Sequence, residues 1–433
     1  MDSIRITRRS LLGGAAAAGA AALVAPVAGP IDAAEAAIGL DPEEAAIDPH
    51  GIHQAGIATP GQQHLVLAAF DVRADATRDD LIALLRAWQA AIVVLAQGRP
   101  LAGGAAGGAP ADTGEALGQR ADRLTVTVGF GPTLFDDRFG LAERRPPQLI
   151  DLPAFAGDAL DPARSGGDLS VQCCAERRLV AEHALRALAR IAESTATVRW
   201  LQAGFNEPPA RPQDGSGRNL FGFKDGTANL RGDDDARMAR NVWVDPSDGP
   251  AWLAGGTLQV YRRVLMRLRT WDESPLAEQE DAIGRRRASG APFGGTREQD
   301  RVDNALTPAR SHIRLANPRT GLASENERIL RRGYSFHDGL AGGDYDAGLA
   351  FIAYQRDPRL QFVPMQERLA AGDLLNEYLV HTASAIFAIP PGTRPSGFVG
   401  ETLLGDAAPR VTRSHPAADR TRPLAPPPRP RRS

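Results

Sequence analysis

Few residues in this chain combine a reactive side chain with a telling neighbourhood. The stretch SHIRLANPRT, residues 311–320, sets His312 in an apolar run with Arg314 and Arg319 close behind it. A neutral imidazole there can ligate a metal or fill a core position with its polar atoms satisfied, and the run alone does not choose. The stretch NLFGFKDGTANL carries Gly222, Asp225 and Gly226 in a GxxDG arrangement, which by itself reads as a turn closed by the aspartate side chain. Cys173 and Cys174 are adjacent in DLSVQCCAE. Adjacent cysteines strain a mutual disulfide and offer neither the spacing of a zinc site nor the CxxCH attachment of a c-type haem. They read as small strand residues, and any haem would be held without a covalent bond.

The elements that must position these residues alternate between strand and helix. QHLVLAAFDV has strand composition, and Thr77 then caps a helix with Asp80 three residues on. Its apolar positions Leu81, Leu84, Leu85, Trp88, Ile92 and Leu95 follow helical spacing until Gly98 stops it. RLTVTVGFG and DLSVQCCAE are strands, followed by a helix with Val180, Ala184, Leu188 and Ile191 and by the strand ATVRWLQAGF. The order then recurs: strand TLQVYRRVLM, a helix begun at Ser274 and Pro275, strand GLAFIAYQRD, helix ERLAAGDLLNEYLV and strand SAIFAIPPG. Two halves of β-α-β-β-α-β order predict an α+β protein with a duplicated ferredoxin-like fold, two antiparallel sheets each covered by helices. The halves occupy residues 59–215 and 216–405. A cleft between sheet and helices of the second half suits a large flat cofactor.

The 433 residues can bury a large core, and a chain 43% hydrophobic and 24% charged with a formal net charge of −2 has no mark of a nucleic-acid partner. At the start, ITRRSLLGGAAAAGAAALVAPVAG puts Arg8 and Arg9 ahead of a mild Ala/Gly tract that is too short to span a membrane. This order reads as a twin-arginine export signal over residues 1–36, with AEA at 34–36 a candidate cleavage site. The protein is then expected to engage the twin-arginine translocase and to work in the periplasm or outside the cell. Residues 37–58 read as a linker or surface-hugging arm, 98–114 as an exposed loop, and 406–433, with seven arginines and many prolines, as a disordered tail.

The GxxDG stretch, HIRLANPR and ILRRGYSFHDG, in this order, resemble the dye-decolourising peroxidase family in its twin-arginine-exported branch. MRLRTWDESPLAEQEDAIGR, SGAPFGG, GLAFIAYQRDP and LNEYLVHTASAIFAIPPG extend the resemblance over most of residues 60–395. It implies a fold of the dimeric α/β-barrel type and a peroxidase with one non-covalent haem b per chain. Hydrogen peroxide would be the oxidant and dyes, phenols or similar organic molecules the reductants, through high-valent iron; a homo-oligomer is compatible with it.

The resemblance also implies roles. His312 matches the proximal iron ligand, a neutral imidazole that leaves the opposite face open; of the other seven histidines, His337 and His381 are the nearer rivals. Arg314 would pair with a haem propionate. Asp373 matches the acceptor for the second imidazole nitrogen, with Glu377 one helical turn later as the alternative. On the open face, Asp225 would move the peroxide proton and Arg332, the second arginine of RRG, would stabilise charge as the oxygen–oxygen bond breaks. In an extended strand Arg331 points the other way, whereas Tyr334 shares the side of Arg332, as a distal residue, an electron donor or packing. Trp271 and Tyr378 are candidate exits for electrons toward bulky dyes. Because a carboxyl group is largely ionised at neutral pH, an acidic optimum is expected. The family also holds deferrochelatase-like haem-handling proteins of iron uptake, and a haem carrier without turnover is the reading from another class.

Overall fold

The structure is a computed structural model that describes residues 46–103, 108–209, 211 and 215–405. The expected export signal with Arg8 and Arg9, and the tail 406–433, lie outside the described residues. Strands are β1 (His64–Val72), β2 (Thr125–Phe130), β3 (Leu169–Ala175), β4 (Ala196–Phe205), β5 (Thr257–Met266), β6 (Leu330–Arg331), β7 (Tyr334–Ala341), β8 (Asp344–Gln355) and β9 (Leu379–Ile389). Helices are α1 (Arg78–Leu95), α2 (Arg178–Ala192), α3 (Asp235–Asn241), α4 (Leu268–Glu273), α5 (Leu276–Ile283), α6 (His312–Ala316), α7 (Leu322–Asn326), α8 (Phe362–Gly372) and α9 (Glu401–Leu404).

In the first half the antiparallel order is β4-β1-β3-β2, with α1 between β1 and β2 and α2 between β3 and β4. In the second half it is β7-β8-β5-β9, with α8 between β8 and β9. The two sheets expected from the sequence are not separate. Phe130 of β2 pairs with Ala388 of β9, and Phe205 of β4 pairs with Ser335 of β7, so eight strands close into one antiparallel barrel-like sheet, with β6 added to β8. Joining at both seams removes four edges whose backbone groups would otherwise need other partners.

Closure explains why β1 lacks polar alternation, since both of its faces are buried. Val66, Ala68, Phe70 and Val72 belong to the core that α1 and α2 build with Leu81, Leu85, Trp88 and Leu188. Leu65, Leu67 and Ala69 instead join Trp200, Tyr261, Tyr334, Ile352, Tyr354 and Phe387 inside the barrel. Helix α1 carries the expected capping box, in which the Thr77 side chain accepts from Asp80 N and the Asp80 side chain accepts from Thr77 N. It ends at Leu95, and Gly98 follows with a φ of +67°.

The interior is also polar. Arg332 enters it, donating from Nη1 to the Thr59 carbonyl at 2.6 Å and from Nη2 to the Gln62 side chain. Tyr334 lies beside it with its hydroxyl 3.6 Å from the Cys174 sulfur, and the Tyr354 hydroxyl donates to Gln172 at 2.8 Å. These partners offset the cost of taking a guanidinium out of water.

Gly131, directly after β2, marks how closely the chain there approaches the start of β3: a Cβ would lie 1.9 Å from the Gly167 carbonyl oxygen, which is backbone. Gly131→Ala is therefore expected to lower stability by about 3 kcal/mol. The readout is the urea midpoint at unchanged slope, and a midpoint equal to that of the parent would show that the Gly167 backbone yields.

Candidate active site

The helix expected over ERLAAGDLLNEYLV breaks in the middle. α8 stops at Gly372, and Asp373 takes φ −67° and ψ 131°, its Oδ1 accepting from Leu375 N at 2.9 Å to open a 3₁₀ turn at Leu374–Glu377. The break aims the other carboxylate oxygen at His312, the first residue of α6, and Oδ2 lies 2.6 Å from Nδ1. Two links keep the segments in register: Leu374 N donates to the Arg310 carbonyl at 3.1 Å and Arg310 Nε to the Gly372 carbonyl at 2.8 Å. Asp373 is buried and Glu377 is exposed, which separates the two acceptors that the sequence left open.

A carboxylate only accepts, so Nδ1 of His312 carries hydrogen and Nε2 the lone pair. Nε2 has no protein partner among the described residues, and the side chain keeps 37% of its exposure, so this edge is available to a ligand. Burial opposes the imidazolium, but the charge and hydrogen bond of Asp373 outweigh it and hold the His312 pKa above the ordinary value. Arg331 lowers and Asp225 raises the same pKa, so those two groups and His312 share one electrostatic environment.

Asp225 lies on the return arm of a short hairpin, where its N–H donates to the Gly217 carbonyl at 2.8 Å. Its Oδ1 is 3.1 Å from Nη1 of Arg331, and Asn219 Nδ2 approaches its Oδ2 at 3.4 Å. The arginine is itself fixed: Nη2 donates to the Thr227 carbonyl at 3.2 Å, and Asn229 bonds both the N–H and the carbonyl of Arg331, at 2.9 and 2.7 Å. Asp225, Asn219, Arg331 and Leu349, together with Leu330, Arg332 and Tyr334, line a cavity of about 600 Å³ whose wall does not include His312.

The arginine assignment made from the sequence is thus reversed. Arg331 and Arg332 do point opposite ways, but Arg331 meets Asp225 while Arg332 and Tyr334 enter the barrel. The pairing of β6 with β8 is the reason: Leu330 sits opposite Tyr354 with its side chain inside, so Arg331, opposite Ala353, faces outward. The apolar Leu330 was the signal in the sequence that could have decided this.

Arg314, the propionate partner expected from the sequence, donates from Nη1 to the carbonyls of Asn304 and Thr307, at 2.5 and 2.7 Å, and pairs with no carboxylate among the described residues. Arg319 likewise has no carboxylate partner among the described residues, its Nη1 donating to the carbonyls of Ile313 and Asn317. Its pKa falls to about 10, through burial first and then through Arg285 and Arg328. Such a cluster seeks an anion. Of the rival histidines, His337 is exposed next to Tyr345, and His381 is enclosed by Arg262 and Gln366, with its pKa pushed down to about 3 by burial and then by Arg262 and His312. Trp271 and Tyr378, expected as electron exits, are 2% and 5% exposed in an apolar cluster with Phe221 and Phe223, so neither presents a surface to a dye.

Residues 54–206 match the family model described as Dyp-type peroxidase, N-terminal, and residues 216–394 the one described as Dyp-type peroxidase, C-terminal. A deferrochelatase of Escherichia coli strain K12 is 39% identical over 373 residues, covering 82% of this chain and 86% of that protein. Among solved structures, ferric DtpA from Streptomyces lividans aligns with a TM-score of 0.76 at 40% identity, over 83% of this chain and 97% of its own. The DyP-type peroxidase from Cellulomonas bogoriensis aligns with a TM-score of 0.76 at 40% identity, over 84% of this chain and 100% of its own. Both halves of the barrel and the paired groups His312–Asp373 and Asp225–Arg331 fall within the matched residues, and the chain belongs to the Dyp-type peroxidase family, the haem enzymes that act on hydrogen peroxide.

Proposed function

We propose that this protein is an exported haem b peroxidase that oxidises dyes, phenols or similar reductants, with His312 as the iron ligand and Asp225 with Arg331 serving the peroxide. One observation carries the reading: an imidazole oriented by a buried carboxylate at 2.6 Å shares its surroundings with a carboxylate–guanidinium pair at 3.1 Å beside a cavity. Export is supported by Arg8 and Arg9 ahead of the Ala/Gly tract. The matching strand orders of the two halves support a duplicated ferredoxin-like ancestry, and the family resemblance supports the dimeric α/β-barrel type and a homo-oligomer.

The donor set fits a haem: a free Nε2, no covalent attachment motif, and a guanidinium at Arg319 that lacks a carboxylate. Bound there, haem supplies the redox centre at which peroxide is reduced by two electrons. His312 offers its Nε2 lone pair, and Asp373 keeps Nδ1 protonated and the ring electron-rich. Arg314 and Arg319, neither held by a carboxylate, are the cations that offer charge to the propionates. The Asp225 carboxylate accepts the proton of one peroxide oxygen and returns it to the other, which departs as water. Arg331 holds that carboxylate in reach and offsets charge on the departing oxygen.

The deciding experiment is the absorption spectrum of haem-loaded protein before and after one equivalent of hydrogen peroxide. A Soret band that shifts promptly in the parent and is lost or strongly altered in His312→Ala supports the assignment, while a parent that binds no haem overturns it. The name of the E. coli relative favours a second reading, iron release from haem, which predicts metal-free porphyrin among the products.

Asp225→Asn and Arg331→Leu are each expected to retain haem and to slow the reaction with peroxide by roughly two to three orders of magnitude. Arg332→Leu should instead lower Tm, since it leaves the Thr59 carbonyl and Gln62 without their donor inside the barrel. Equal stability losses in Arg331→Leu and Arg332→Leu, with peroxide rates unchanged, would contradict the division of labour.

A further inference from the structure

Glu298 lies in none of the stretches that point to the site and touches none of the groups given a chemical role above. Its side chain is nevertheless only 6% exposed, and its two oxygens are filled. Oε1 accepts from Ser216 Oγ at 2.6 Å and Thr227 Oγ1 at 2.7 Å, and Oε2 accepts from Lys224 Nζ at 2.9 Å and Ser216 N at 3.1 Å. Burial alone would raise its pKa, but these donors outweigh it and bring it down to about 2. The carboxylate is therefore anionic throughout the range in which the enzyme works.

The donors are not scattered. Asp225 N bonds to Gly217 O, Asn219 N bonds to Phe223 O at 3.0 Å, and Arg218 bridges to Lys224, so residues 217–225 form a hairpin. Ser216 leads into its first arm, and Lys224 and Thr227 flank Asp225 on its second. One carboxylate thus ties both arms together at the base, where Asp225 projects. The backbone at Gly215 comes so close that a Cβ there would lie 2.0 Å from Oε2, and its φ of +83° is one that glycine alone adopts without strain. Glu298 is held in turn by Arg285, whose Nη1 donates to the carbonyls of Glu298 and Gly290, at 2.8 and 2.7 Å.

The tip of the hairpin is packed, with Phe221 and Phe223 buried against Trp271, but its base needs such a tie. The base borders two cavities, the one of about 600 Å³ with Asp225 and Arg331 and a second of about 960 Å³ lined by Ser216, Gly217, Lys224 and Glu298. A segment between two spaces gains little of the close packing that fixes side chains in a core. Polar straps must supply the restraint instead, and a displacement of about 1 Å at a reacting group can cost roughly a hundredfold in rate.

We propose that Glu298 is a positioning residue for the peroxide reaction, strapping both arms of the Asp225 hairpin and so fixing the reach of the Asp225 carboxylate toward Arg331 and the peroxide. The inference rests on the reading of Asp225 as the proton-transfer group, and the test separates the two. Glu298→Gln preserves size but turns an amide N–H toward donors that need an acceptor.

The experiment compares the haem-loaded full chain, Glu298→Gln and Asp225→Asn by three readouts. These are the pH profile of the peroxide reaction, the rate of binding of cyanide, which must lose its proton as it binds, and hydrogen exchange over residues 216–229. Expected for Glu298→Gln is a slowing of roughly tenfold or more with both peroxide and cyanide, a displaced pH profile and faster exchange at the hairpin, with the Soret band of the resting protein unchanged. Parent-like peroxide and cyanide rates and an unmoved pH profile in Glu298→Gln, alongside a slow Asp225→Asn, overturn the proposal, even if Tm falls. Parent-like rates in Asp225→Asn as well overturn the reading beneath it. Should Glu298→Gln fail to fold, Thr227→Val removes one strap only, and it must show the same changes on a smaller scale; parent-like rates and pH profile in that variant would likewise overturn the proposal.

Discussion

Closure of the sheet is the constraint on which the rest of the molecule depends. A sheet closed on itself has an inside that must be filled and an outside that remains available, and strand alternation assigns successive residues to one or the other. In the two-residue strand β6 and the residue after it, this sends Leu330 and Arg332 inward and Arg331 outward. Two adjacent guanidiniums therefore live under different rules. The inner one is stabilised by the Thr59 carbonyl and Gln62, and the outer one meets a carboxylate at 3.1 Å in the wall of a cavity. Exchange of the two by a one-residue slip would turn the Leu330 side chain out of the barrel and leave Asp225 without its cation, so the register of β6 on β8 is a condition of the chemistry.

The charges around His312 follow a similar logic of partners and remainder. Asp373 is matched by the imidazole, and Asp225 by Arg331. Arg319 is left with carbonyls alone, depressed by burial and by Arg285 and Arg328. A half-buried cation without a carboxylate is costly unless a ligand brings the missing charge, and haem carries two propionates. The remainder of the electrostatic sum thus points to the same cofactor as the free Nε2 of His312.

Much of this was legible in the sequence, for reasons that particular residues make plain. The strand and helix order was readable because local signals agree: Thr77 with Asp80 at the start of α1 and the helical spacing of its apolar positions. The ring was not readable, because each seam depends on single pairs between residues more than a hundred apart in the chain, such as Phe130 with Ala388. Arg331 was misassigned since a strand pattern fixes alternation but not which face is inside. The carbonyl partners of Arg314 were not readable, since they belong to an irregular loop that no periodicity describes. Asp373 could not be ranked over Glu377 while the segment was taken as one helix, and only the break after Gly372 parts them.

That break and the Asp225 hairpin show one device used twice. Asp373 spends one oxygen on the Leu375 N–H and the other on His312, so the same group that shapes the backbone also orients the imidazole. Glu298 spends its oxygens on the Ser216 N–H and on side chains from both arms of the hairpin, so it shapes the segment from which Asp225 projects. In each case a buried carboxylate does locally what a regular helix or strand cannot, because the reacting groups sit where regular structure is interrupted. Loops of that kind reach geometries closed to repeating backbone, but they need restraint at the scale of tenths of an ångström, and charge-assisted hydrogen bonds supply it within a few residues of the group to be placed.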